Sequence, residues 1–156
     1  MKKITIEKTQ GADTRSAKEV VTKETLLSES HLHKSHVRKM MAVLAQELIT
    51  RGENHDHTKT EAIDLFHDNF VKAFSKEMEF KHHAWWKLHL TEKHHINDYM
   101  HADTDLLDLL EMLVDCVCAG MARTGNVFPI EMDNDKFQQM LKNTVDKIKN
   151  CIEVKD

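Results

Sequence analysis

Apolar residues recur along this chain with two different periods. Near the start Ile4 and Ile6 alternate with polar neighbours, which predicts a short extended segment, followed by a modest helix around Ala17–Leu27. From His31 to Arg51 the period lengthens. His33, His36, Val37, Met40, Met41, Leu44 and Leu48 recur at steps of three and four, and Gly52 stands where a helix C-cap is expected. Thr58 and Glu61 then have the spacing of a capping box. Ala62, Ile63, Phe66, Phe70, Val71, Ala73 and Phe74 continue a second helix to about Ser75. A third helix is expected over Glu77–Thr91, with Phe80, Ala84, Trp85 and Leu88 on one stripe and His82, Trp85 and His89 on an adjoining one.

Asp103 or Thr104 can cap a fourth helix, Asp105–Arg123. Its core LLDLLEMLVDCVCAGM is apolar nearly all round and is expected to lie centrally, with Gly125 ending it. Pro129 marks a loop, Asp133 to Asp135 offer N-caps, and Phe137, Met140, Leu141, Val145, Ile148 and Ile152 predict a last amphipathic helix. Four glycines, one proline and no Asn-Gly or Asp-Gly pair leave few of the reversals that short strands need. The expectation is an all-α protein of about five to six helices, with residues 1–28 a partly helical extension and residues 29–156 the helical domain.

Composition narrows the function. The 156 residues are 40% hydrophobic and suffice for one domain, and the net charge of −4 gives no broad attraction to a nucleic-acid polymer or an anionic membrane. The start, MKKITIEKTQ, lacks the apolar stretch of a signal peptide, so a cytoplasmic location without membrane attachment is expected. Cys116, Cys118 and Cys151, an odd number, read as reduced and mostly buried thiols.

Twelve histidines are far more than a solvated surface or a packed core calls for. His55-Asp56 lies at a loop-to-helix junction, in HDHTK, after a helix that carries His36 on its core-facing stripe. Asp115 interrupts LLEMLVDCVC, where an unpaired carboxylate would be costly to bury, so it must be protonated, paired or metal-bound. The alternative for Asp108, Glu111 and Asp115 is a plain acidic stripe facing solvent. In WWKLHLTEKHH, His89 and His94 are five residues apart, so their joint ligation needs a helix end or loop near Thr91–Lys93. Imidazole with carboxylate suits zinc, iron, manganese, cobalt or nickel rather than calcium.

The order His36, His55-Asp56, His89, His94/His95, Asp115 in a helical chain resembles the HD-domain superfamily of metal-dependent phosphohydrolases, over roughly residues 31–124, including small HD-like proteins of phages and bacteria. The resemblance implies a compact HD-like fold. It also implies a core ligand set of His36, His55, Asp56 and Asp115, with Asp56 as a bridge. His89 and one of His94 and His95 become second-site candidates, their neighbour pointing elsewhere. One or two divalent ions would act on a small phosphorylated substrate, a nucleotide or related phosphoester. HDHTK is similar to the His-Asp-x-x-Lys form of several branches, which implies a substrate phosphate near Lys59, with Lys93 and Arg123 as weaker candidates. Some HD-fold proteins with a similar ligand set activate oxygen at two irons, and a non-enzymatic metal-binding helical module is the remaining alternative.

Overall fold

A computed structural model describes residues 1–9, 17, 19–127 and 129–155. The protein is all-α apart from one two-stranded sheet. In chain order the described elements are β1 Ile4–Glu7, α1 Lys23–Asn54, α2 His57–Glu61, α3 Ile63–Phe74, α4 Ala84–His89, α5 Leu106–Thr124, α6 Asn134–Asn150 and β2 Ile152–Lys155. They fall into two units, Met1–Ile49 with Val145–Asp156, and Thr50–Thr144. Among the described residues no helix is long and apolar enough to cross a membrane.

In the first unit β1 and β2 pair in parallel, Ile4 opposite Ile152 and Ile6 opposite Val154. Ile152, expected to end the last helix, therefore begins a strand. Local periodicity could not reveal it, because the partner strand lies at the other end of the sequence. Of the helix expected over Ala17–Leu27, residue 18 lies outside the described residues. Helix begins only at Lys23, where Thr22 Oγ1 accepts from the Thr25 amide at 3.2 Å in the manner of an N-cap.

The second unit starts inside α1, which runs through Gly52 instead of stopping there. The break comes at Asp56, whose φ of 54° is left-handed, a conformation that Asp and Asn tolerate better than most residues. Asn54 Nδ2 donates to the Thr50 carbonyl at 2.7 Å, folding its side chain back onto the last turn of the helix. Thr58 and Glu61 form no capping box. Thr58 is buried, and its hydroxyl is spent on side chains from elsewhere. The expected third helix is shorter than its stripe suggested, a 3₁₀ turn Phe80–His82 followed by α4.

Trp85, 1% exposed, stacks on Phe66 with ring centres 4.0 Å apart, and its Nε1 donates to the Thr58 carbonyl at 3.3 Å. Ile96, Met112 and Met140 form a second buried cluster, with Met100, Leu109 and Leu113 packed against it. Asp105, not Asp103 or Thr104, caps α5 in a reciprocal box with Asp108, and Gly125 ends the helix at φ 70°. Contrary to the expectation of apolar burial all round α5, Leu110, Val114, Val117 and Met121 form an exposed stripe. Cys151 is buried, Cys116 half-buried and Cys118 exposed, all as free thiols.

Candidate metal centre

The chain reversal after α1 sets His55 and Asp56 on one side of a cluster. The turns after α4 deliver Glu92, His94 and His95, and α5 presents Asp108, Glu111 and Asp115 at steps of three and four along one face. Three groups of donors gather within 4.8 Å of one another: His55, His94 and Asp115; Asp56, His89 and His95; and Asp56, Glu92 and His94.

Asp56 is the hub. Its Oδ1 lies 3.5 Å from both His89 Nε2 and His94 Nε2, and its Oδ2 lies 3.5 Å from His55 Nε2. His55 Nε2 is also 3.4 Å from Asp115 Oδ1. These spacings are long for hydrogen bonds. They match the ~3.3–3.6 Å edges of a tetrahedron whose donors sit ~2.0–2.2 Å from a central ion. Asp56 Oδ1, His94 Nε2 and His95 Nε2 are buried with no hydrogen-bond partner, an expensive state for polar atoms unless something else satisfies them.

The opposite edges of these rings are fixed by carboxylates. Glu111 Oε1 accepts from His55 Nδ1 at 3.0 Å and lies 3.2 Å from His94 Nδ1, while Arg51 reaches Glu111 Oε2 at 3.5 Å and forms a tight pair with Asp108. Glu92 takes the Thr58 hydroxyl proton. Thr58 Oγ1 must then accept from His89 Nδ1, 2.7 Å away, which fixes His89 in the tautomer whose Nε2 lone pair is free. A carboxylate behind His55 and His94, and one reached through Thr58 behind His89, is the arrangement that orients histidines for metal and raises their basicity.

Electrostatics follow from this crowding. Burial alone would raise the Asp56 carboxyl, but His94, Lys59 and His55 hold it far below the usual carboxylate range. Glu92 and Glu111 are likewise lowered, because Thr58 hydrogen bonds and the neighbouring imidazoles outweigh desolvation. Desolvation lowers His89. His94 and His95 move in opposite directions. Burial disfavours the charge of His94, but Asp56 and Glu111 lift it to about 9; His95, desolvated and beside two other imidazoles, falls to about 4.

The structure thus brings together His55, Asp56, His89, His94, His95 and Asp115. His36 is not brought in. It is engaged in the first unit, where its Nε2 accepts from the Glu7 amide at 3.2 Å. It also lies 18 residues before the end of the same continuous helix, roughly 27 Å along the axis. Both His94 and His95 face the cluster, where only one was expected. They lie in turns, so the 100° divergence of helical neighbours does not apply. Asp115 is half-buried, and the fully buried acid of α5 is Asp108.

Lys59 is paired with Asp56, and Lys93 with Asp103 on the surface. Arg123 and Asp115 share the lining of a cavity. Glu92, Glu111 and Thr58 were not expected from the sequence. Glu111, one turn before Asp115 on the same face, was the legible one of the three, but it read equally well as part of a solvated stripe. Comparison with protein-family models, with curated proteins and with solved structures yields no match.

Proposed function

We propose that the protein is a metal-dependent phosphohydrolase of HD type, in which Asp56 and the surrounding imidazoles would hold one or two divalent transition-metal ions, acting on a nucleotide or related phosphoester. The convergence of three imidazole Nε2 atoms on the two oxygens of one carboxylate carries this reading. It supports metal in preference to an ordinary ion-pair network because three of the atoms facing the centre, Asp56 Oδ1, His94 Nε2 and His95 Nε2, are buried without a hydrogen-bond partner. A bound ion would supply an acidified water and draw charge from the phosphoryl oxygens.

The protein's own groups have separable tasks in this reading. Asp56, with both oxygens committed, holds the centre. Glu111 and the Thr58–Glu92 pair keep the imidazoles aimed at it. Asp115, 32% exposed, stands on the side that substrate can reach. Lys59, joined to Asp56 and still partly exposed, is placed to move its ammonium onto a phosphate oxygen, which it can do without ligating a cation. The location consistent with this role is cytoplasmic.

The test is elemental analysis of protein purified without a His tag or added metal, then phosphate release from nucleotides and p-nitrophenyl phosphate with manganese, cobalt or nickel. One or two ions per chain and phosphate release are expected. Lys59→Ala should keep the metal and lose on the order of 10² to 10³ in rate, the usual effect of removing one charge-stabilising donor. Metal without release from any ester removes the hydrolase reading. Iron with oxygen uptake would replace it by an oxygenase, since His and carboxylate donors also suit iron, and tightly held metal with neither activity would make the centre structural.

A further inference from the structure

A cavity of about 300 Å³ adjoins the metal centre within the second unit, with Asp115 and Arg123 on the same wall. The two residues are eight apart on α5, roughly 12 Å along the axis, and the tilt of helical side chains toward the N-terminus leans Arg123 back toward Asp115. Asp115 Oδ1 lies 3.4 Å from His55 Nε2, on the metal-donor side of the cavity mouth. Arg123 has no ion pair among the described residues, which leaves an exposed guanidinium, with its forked donors, lining a cavity that begins at a metal-ligand candidate.

The far wall is built to stay open. A Cβ on Gly120 would meet the Asn126 carbonyl oxygen at 2.6 Å, so the chain after α5 lies directly against the helix at a position only glycine allows. Thr124 Oγ1 clasps this crossing, donating to the Gly120 carbonyl at 3.0 Å and accepting from the Asn126 amide at 3.2 Å. Pro129 and Ile130 then close the cavity. Its volume is at the bottom of the ~300–1,000 Å³ range of ligand pockets, which suits a small organic group.

We infer that this cavity takes the organic part of a small phosphomonoester bearing a second anionic group, a phosphorylated carboxylic acid or a bisphosphate, with Arg123 binding that second group while the phosphate lies at the Asp56 centre. The phosphate end rests on the hydrolase reading. The anion end rests on the cavity and Arg123.

Non-hydrolysable probes separate the two. Binding of 3-phosphonopropionate, which carries both groups, is compared by calorimetry with binding of ethylphosphonate, which carries one, to manganese-loaded protein. The two-headed probe is expected to bind about tenfold tighter, the contribution of one charge-assisted pair. Arg123→Gln should abolish that advantage, leaving ethylphosphonate affinity, metal content and Tm unchanged, and Arg123→Lys should restore part of it. Equal affinities in the parent protein, no binding of either probe, or an advantage that survives Arg123→Gln overturns the proposal. Selective binding without hydrolysis of any ester would sustain the anion pocket and defeat the hydrolase, whereas hydrolysis of p-nitrophenyl phosphate with unselective binding would do the reverse.

Discussion

On the Oδ1 side of Asp56, His89 and His94 are each only 2% exposed, and His95 lies between them with tilted rings whose centres are 4.2 Å from each. On the Oδ2 side, His55 and Asp115 are 25% and 32% exposed, and Asp115 lines the cavity. One carboxylate therefore joins a closed half and an open half. The closed half has unsatisfied atoms and rings braced by Glu92 and by Glu111, which also braces His55, the features of tight binding. The open half has solvent access and a neighbouring cation, the features of turnover. Affinity and reactivity are thus assigned to different residues of the same centre.

Asp56→Asn breaks both halves at once and should have the largest effect. Asparagine tolerates the left-handed backbone of this position, so the fold is kept while the shared charge is lost. Metal content should drop to near zero, and the rise in Tm on adding manganese or zinc should disappear. Full metal occupancy in this variant would show that Asp56 is not the hub.

Glu111→Gln and Asp115→Asn sharpen the contrast between the halves. Loss of the carboxylate behind His55 and His94 should weaken metal by roughly 10- to 100-fold. Asp115→Asn should cost metal affinity less than this, yet remove most phosphate release. Competition with a chelating dye measures the first effect, and rates at saturating metal measure the second. The reverse order of metal affinities would mean that Asp115 does more to hold the ion than the carboxylate behind His55 and His94.

The smallest effect distinguishes two adjacent histidines in the metal-free protein. His94 is raised to about 9, so its contribution to stability is complete below the ordinary imidazole value of 6.5 and is lost as pH rises through 9. His95 is lowered to about 4, so its contribution is complete above 6.5 and is lost as pH falls through 4. The carboxylates Asp56, Glu92 and Glu111 add to the acid-side loss. The Tm of metal-free protein should therefore peak near neutrality, and His94→Gln should flatten the alkaline side. An alkaline decline unchanged in that variant would remove His94 as its source.

The sequence disclosed the closed half better than its supports. Histidine is rare in cores, so His89, His94 and His95 beside two tryptophans stood out, and the five-residue gap correctly required a helix end between them. The periodic stretches that became α1 and α5 were legible for the same reason, a strong local pattern. Gly52 misled because a glycine signals a cap only when the backbone turns left-handed there, and that turn belongs to Asp56. His36 shared the apolar stripe of a real helix, but its partner is a strand amide that no local pattern ties to it. Glu92 and Glu111 were silent because glutamate on a turn or helix is ordinarily solvated. Only the folded chain, which returns Thr58 and the imidazoles to them, gives them work.

The stacking of Trp85 on His89, with ring centres 4.6 Å apart and planes at 18°, gives the centre an intrinsic optical reporter. An indole that is 1% exposed emits toward the blue, apart from the half-buried Trp86 beside it, and it stands one ring away from the donor atoms. Ions with open d shells, such as cobalt, nickel or copper, should quench that blue component on arrival, while zinc should leave it bright. Loading of the closed half can then be followed by native fluorescence in unlabelled protein, with the colour of the residual emission identifying which tryptophan is still lit.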